Sequence, residues 1–143
     1  MKVDFDLPHL SKEIDKMTRR LSKERDKFQR VSKKTITSVC RKLEEESVKR
    51  APFKEGFLES SHKYKVQDIF GAIEGYVFIP SNSPASDYAI PMHEGHYNLG
   101  LDSKRKEASV GVKVGRKFLE RAMTENEKAF SLFVAKELKK ALS

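Results

Sequence analysis

The spacing of apolar residues changes twice along the chain, and each change marks a boundary. Leu7, Leu10, Ile14, Met17, Leu21, Phe28 and Val31 are separated by threes, fours and sevens. Ile36, Val39 and Leu43 continue this stripe after a one-residue slip. Lys, Arg, Glu and Asp fill the positions between them, as on the wet face of an amphipathic helix. Asp6 followed by Pro8 reads as a helix start. The polar stretch Ser32–Thr35 allows a break, so this region predicts one or two helices over about 7–50. Pro52 ends it, because proline cannot continue the helical hydrogen-bond pattern.

The period then shortens. Ser60 to Val66 alternates loosely, and Ala72 to Ile79 is rich in β-branched and aromatic residues, with Phe70-Gly71 as the turn between two strands. Pro80–Asp87 reads as a loop, Tyr88 to Met92 as a short strand or helical turn, and Asn98–Glu107 as a second, highly charged exposed loop. Val110, Val112 and Val114 alternate as an edge strand would, ending at Gly115. From Lys117 the helical period returns, with Phe118, Leu119, Ala122, Met123, Phe130, Phe133, Val134, Leu138 and Leu142. The expected architecture is a single α+β domain over residues 1–143. It has a long N-terminal helical region, a β region over about 57–115 with a small antiparallel or mixed sheet, and a C-terminal helix over about 117–142 packed on that sheet.

Charge divides the chain along the same lines. The net +8 splits into +6 over residues 1–50, −3 over 51–100 and +5 over 101–143. Basic ends can meet DNA or an acidic neighbour, and the acidic middle argues against one uniform nucleic-acid surface. Cys40 is the single cysteine, which excludes an internal disulfide and a Cys-rich metal site. No apolar run approaches the roughly 20 residues needed to cross a bilayer, and the N-terminus lacks the apolar core of a signal peptide.

Candidate chemistry is sparse. His93-Glu94-Gly95-His96 places its histidines three positions apart, whereas zinc peptidases need four on one helix face, and Pro91 and Gly95 disfavour a regular helix there. No nucleophile elbow or phosphate-binding glycine loop is present, and Gly111–Lys117 lacks the spacing that cradles phosphate. Arg19-Arg20, Lys33-Lys34 and Arg41-Lys42 read first as a solvated helix face, although clustered cations are all that sequence-independent DNA binding requires. We expect no catalytic residue, no metal and no cofactor.

Three segments, in order, carry a family resemblance. The first is Val48–Ser61, with Ala51-Pro52, then Gly56, Leu58 and Ser61. The second is Tyr88-Ala89-Ile90-Pro91-Met92-His93-Glu94-Gly95. The third is Gly115–Ala122, with Phe118, Leu119 and Ala122. Together they resemble the motifs of a tailed-bacteriophage neck and tail-completion family. Phe53-Lys54-Glu55 stands where that family has Val-Asp-Thr.

The resemblance implies a structural, non-enzymatic virion protein. It would form a homo-oligomeric ring, expected to be hexameric, assembled in the host cytoplasm and placed between the head connector or stopper and the tail tube. Contact with phage DNA in the channel follows from the same placement. The motif residues are helix stops, turns and anchors rather than reactive groups; Leu58, for example, would anchor the first strand. Ring contacts are expected to pair Glu55, Glu59, Glu74 and Asp87 with Lys104, Arg105, Lys106, Arg116 and Lys117 of a neighbour, and Ser81–Ser86 and Asn98–Glu107 are expected to act as assembly arms. The alternative from a different class is a basic, sequence-independent DNA-binding accessory protein. A metal-dependent hydrolase built on His93, Glu94 and His96 ranks third.

Overall fold

The computed structural model describes residues 7–142, with side chains from residue 12 onward. Asp6 as a helix start and the side chains of Leu7 and Leu10 therefore lie outside the described residues. The elements are α1 (Leu7–Arg50), α2 (Phe57–Ser60), β1 (Lys63–Ile69), β2 (Ala72–Phe78), α3 (Ala89–Glu94), α4 (Leu101–Val110) and α5 (Phe118–Leu142). The α+β class holds: a long N-terminal helix, a two-stranded antiparallel sheet and a C-terminal helix.

Helix α1 is continuous over 44 residues, about 66 Å at 1.5 Å per residue. The polar stretch at Ser32–Thr35 does not break it. Thr37 and Ser38 return their hydroxyls to the carbonyls of Lys33 and Lys34, at 2.7 and 3.1 Å. Thr35 is buried. Hydroxyls satisfied within the helix leave no backbone group seeking another partner.

The hairpin pairs Lys63 with Phe78 through to Ile69 with Ala72. Phe70 and Gly71 form its tip, both with positive φ, and Asp68 accepts the Gly71 N–H at 2.8 Å. Both strands lie against α1. Gly75 permits this approach, since a Cβ there would collide with Cys40 Sγ and come within 2.8 Å of Ile36 Cγ2. Helix α5 also packs along α1, which takes the larger share of its contacts. Val134 and Leu138 of α5 share a cleft with Phe28 and Ile36 of α1 and Ile73 of β2.

The β region is smaller than its pattern suggests, because three helical segments, α2, α3 and α4, lie within 57–115. Leu58 sits in α2 rather than anchoring a strand. Tyr88 to Met92 resolves as α3, and Pro91 is harmless as its third residue, where no N–H has an intrahelical partner. The supposed loop at Asn98–Glu107 is largely α4. Its inward face is Ser103, Lys106 and Glu107, so hydrophobic periodicity could not reveal it. The expected strand at Val110–Val114 is absent. Val110 ends α4, Gly111 caps it with φ +74°, and the Val114 N–H goes to the Glu107 carboxylate at 2.8 Å instead of a neighbouring strand.

Candidate functional site

The three resemblance motifs, spread between Val48 and Ala122, converge at the C-terminal end of α1. Ala51, Leu58, Ala89 and Phe118 are buried in one cluster with Ala85, and Tyr88 and Leu119 pack against it. Ala122, on the next turn of α5, is fully buried. Pro52 and Ser61 are buried at the same junction. Phe118 lies between two imidazoles, 5.7 Å from His62 and 4.9 Å edge-on from His93. Ala85 anchors the Ser81–Ser86 loop in this core, while Ser81, Asn82 and Pro84 stay exposed.

Polar groups close the same junction. Arg50, 3% exposed, donates to Glu46 Oε2 at 2.8 Å and to Glu125 Oε2 at 2.6 Å, tying α1 to α5. Burial would raise the Glu46 carboxyl, but hydrogen bonds from Arg50 and Lys49 win and hold it at about 2. His62 is 2% exposed. Its Nδ1–H can only donate to the Leu58 carbonyl at 2.8 Å, which leaves Nε2 to accept from the Ser47 hydroxyl at 2.7 Å. Burial pushes this imidazole below its ordinary value, against the pull of the Leu58 carbonyl.

Both helix ends at the junction are capped by tertiary partners. Lys106 Nζ donates to the carbonyls of Val48 and Ala51 at 2.5 and 2.6 Å, and the Gly115 N–H takes the Arg50 carbonyl at 2.8 Å. These satisfy carbonyls that the end of α1 would otherwise leave unpaired. His93 Nε2 accepts the Glu120 N–H in the first turn of α5, at 3.4 Å, while its Nδ1 faces Glu94 at 2.9 Å. Both ring nitrogens of His93 are thus engaged, and His96 is exposed. Among the described residues no group of three metal-ligating side chains comes together. Gly95 follows α3 so closely that a Cβ would stand 2.5 Å from the Pro91 carbonyl oxygen.

The expected ring contacts divide sharply. Lys106 is ion-paired with Glu59 inside the chain, and Lys117 holds Glu94 at 2.5 Å and Glu120 at 3.5 Å. Lys117, with help from His93, pulls the Glu94 carboxyl below its ordinary value. Lys106, Glu59 and Lys117 are thus engaged within the fold, with side chains 12%, 27% and 26% exposed. Glu74 accepts from the Tyr76 hydroxyl at 2.6 Å, Arg105 lies 3.8 Å from Asp102, and Arg116 donates to the Glu94 carbonyl at 3.1 Å. These three remain exposed, as do Glu55, Asp87 and Lys104, which form no ion pair among the described residues.

Two surfaces stand away from this junction. Arg30, Lys33, Lys34 and Arg41 line a shallow basic trough on α1, with Arg41 donating to the Tyr64 hydroxyl at 3.1 Å. Farther out, every residue from 12 to 21 is exposed. The periodicity reads this stretch as a core-facing stripe, yet Ile14, Met17 and Leu21 are 53%, 60% and 65% exposed. The stripe is apolar as expected, and no described part of the chain covers it. The signal that could have marked it is length: α1 has 44 residues and α5 only 25, so α5 cannot cover the whole stripe.

No family model, curated protein or solved structure matches the chain. No helix among the described residues is long and apolar enough to cross a membrane.

Proposed function

We propose that this chain is a structural subunit of a tailed-phage neck, forming a ring that completes the tail and joins it to the head connector. One observation carries the reading. The residues of three separated motifs meet in a single junction, where they stop α1, turn the chain and dock α5. A motif set that builds one junction behaves as a unit, which a chance match of three short strings would have no reason to do. The buried members are mostly apolar packing residues, with Arg50 held in ion pairs, which suits an assembly part rather than an enzyme. A neighbour across the ring would meet Glu55, Glu74 and Asp87 with Lys104, Arg105 and Arg116, and such a heterologous contact closes into a ring when its rotation allows.

Light scattering and negative-stain imaging of the purified protein test this. Closed rings whose mass falls as NaCl is raised toward 1 M are expected, because exposed pairs worth about 0–1 kcal/mol each are screened there. A monomer or dimer under every condition, with or without purified connector protein, would sink the proposal. The basic trough on α1 favours a second reading, sequence-independent DNA binding. Retardation of arbitrary duplex DNA, lost when Lys33 and Lys34 become Glu, would support it.

A further inference from the structure

Counting in sevens along α1 exposes a seam. Leu7, Ile14, Leu21, Phe28 and Thr35 recur at one heptad position, and Leu10, Met17 and Val31 at the position three residues later, with Glu24 interrupting. Such a repeat is the pattern of a helix that packs along another helix. Over its second half the seam has that partner: Phe28 and Thr35 line the cleft shared with Val134 and Leu138 of α5. Over its first half Ile14, Met17 and Leu21 are bare.

We infer that the exposed half of α1 pairs antiparallel with the same segment of a second copy of this chain, which continues the packing α5 provides farther along. The flanking charges select both partner and direction. Glu13 and Arg20 occupy the position just before Ile14 and Leu21. With a two-fold axis beside Asp15 and Lys16, Ile14 packs on the partner's Met17, and Met17 on the partner's Ile14. The same register sets Glu13 against the partner's Arg20, and Arg20 against the partner's Glu13. A parallel, in-register pair would instead oppose Arg20 to the partner's Arg25. Like charges there disfavour it, since residues flanking the seam set helix orientation. Within the chain Glu13 has only a weak exposed contact, Lys16 at 3.9 Å, which leaves it available. An isologous contact of this kind leaves the hairpin and the charged loops free, so the inference stands apart from the neck reading.

Sedimentation equilibrium of the full chain decides it. The wild type should dimerise. Met17→Asp should remove the dimer without changing the far-ultraviolet circular dichroism, because Met17 is already 60% exposed in the subunit. Arg20→Glu should weaken the dimer about tenfold, through two symmetry-related pairs. Adding Glu13→Arg to Arg20→Glu should restore it. A tighter dimer with Arg20→Glu would mean parallel pairing and would overturn the proposal. So would a wild-type chain that stays monomeric up to its solubility limit. A ring that Met17→Asp leaves intact, with no dimer beneath it, also overturns the proposal while sparing the neck reading. A dimer lost with Met17→Asp in a protein that never forms rings does the reverse.

Discussion

The two halves of α1 are alike in charge content and both carry an apolar stripe, slipped by one residue between them, yet they live in different environments. Around Arg50 the helix is buried, and its polar groups are held in fixed pairs: Arg50 with Glu46 and Glu125, Ser47 with His62. Around Met17 the same amphipathic pattern faces solvent. A periodic stripe therefore says which side of a helix is apolar, and nothing about whether the chain itself supplies the cover. The buried half should behave as the folding core, and the bare half as a surface whose worth appears only in an assembly.

The largest test of that contrast is truncation of an anchor in each half. Phe118→Ala should cost about 3–5 kcal/mol of folding stability, because a fully buried ring leaves a cavity. Leu21→Ala should change stability by less than about 0.5 kcal/mol in the monomer. Chemical denaturation at a concentration below any association checks both, and equal effects would erase the distinction.

Charges should divide the same way. Arg50→Ala should cost about 3 kcal/mol, since it strands the buried Glu46 carboxylate, whereas Arg20→Ala in the isolated subunit should cost about 0–1 kcal/mol. A small loss at Arg50 would mean that water reaches the junction.

Acid should also loosen the junction, and in sequence. His62 has a lowered value in the fold, so the unfolded chain binds its proton first. Stability contributed by the neutral imidazole is present above about 6.5 and is lost as pH falls below it. Glu46, held at about 2 against an ordinary 4.5, adds a second loss as pH falls from 4.5 toward 2. Thermal melts should therefore decline first near pH 6, and His62→Gln should remove that first decline while keeping the second. A melting temperature flat from pH 7 to 5 would contradict the buried neutral imidazole.

The smallest effect is expected at Ser61, a resemblance residue whose buried Oγ has no hydrogen-bond partner among the described residues. Ser61→Ala should leave stability unchanged or raise it by up to about 1 kcal/mol, because no bond is lost and a desolvated hydroxyl is removed. A loss greater than that would show the hydroxyl to be bonded in solution.

Much of this was legible in the chain alone. The two long helical regions, the Phe70-Gly71 hairpin and the stop at Ala51-Pro52 follow from local rules: apolar spacing, turn residues and the missing proline N–H; that the first region is one unbroken helix was left open by its polar stretch. The convergence of Leu58, Ala89 and Phe118 was suggested only as an ordered set of motifs, and their meeting in one cluster is a matter of tertiary structure. Helix α4 escaped the pattern because the face it turns inward is Ser103, Lys106 and Glu107. Val110–Val114 misled it because alternation describes side-chain direction and does not supply a neighbouring strand. The roles of Glu59 and Lys106 were equally hidden. Charge and position make both look like free surface groups, and only the fold brings Lys106 onto the end of α1. Sequence determines which residues want water and which turns the backbone can make. Tertiary structure decides which polar groups are consumed inside, because a long-range hydrogen bond depends on where two distant segments come to rest.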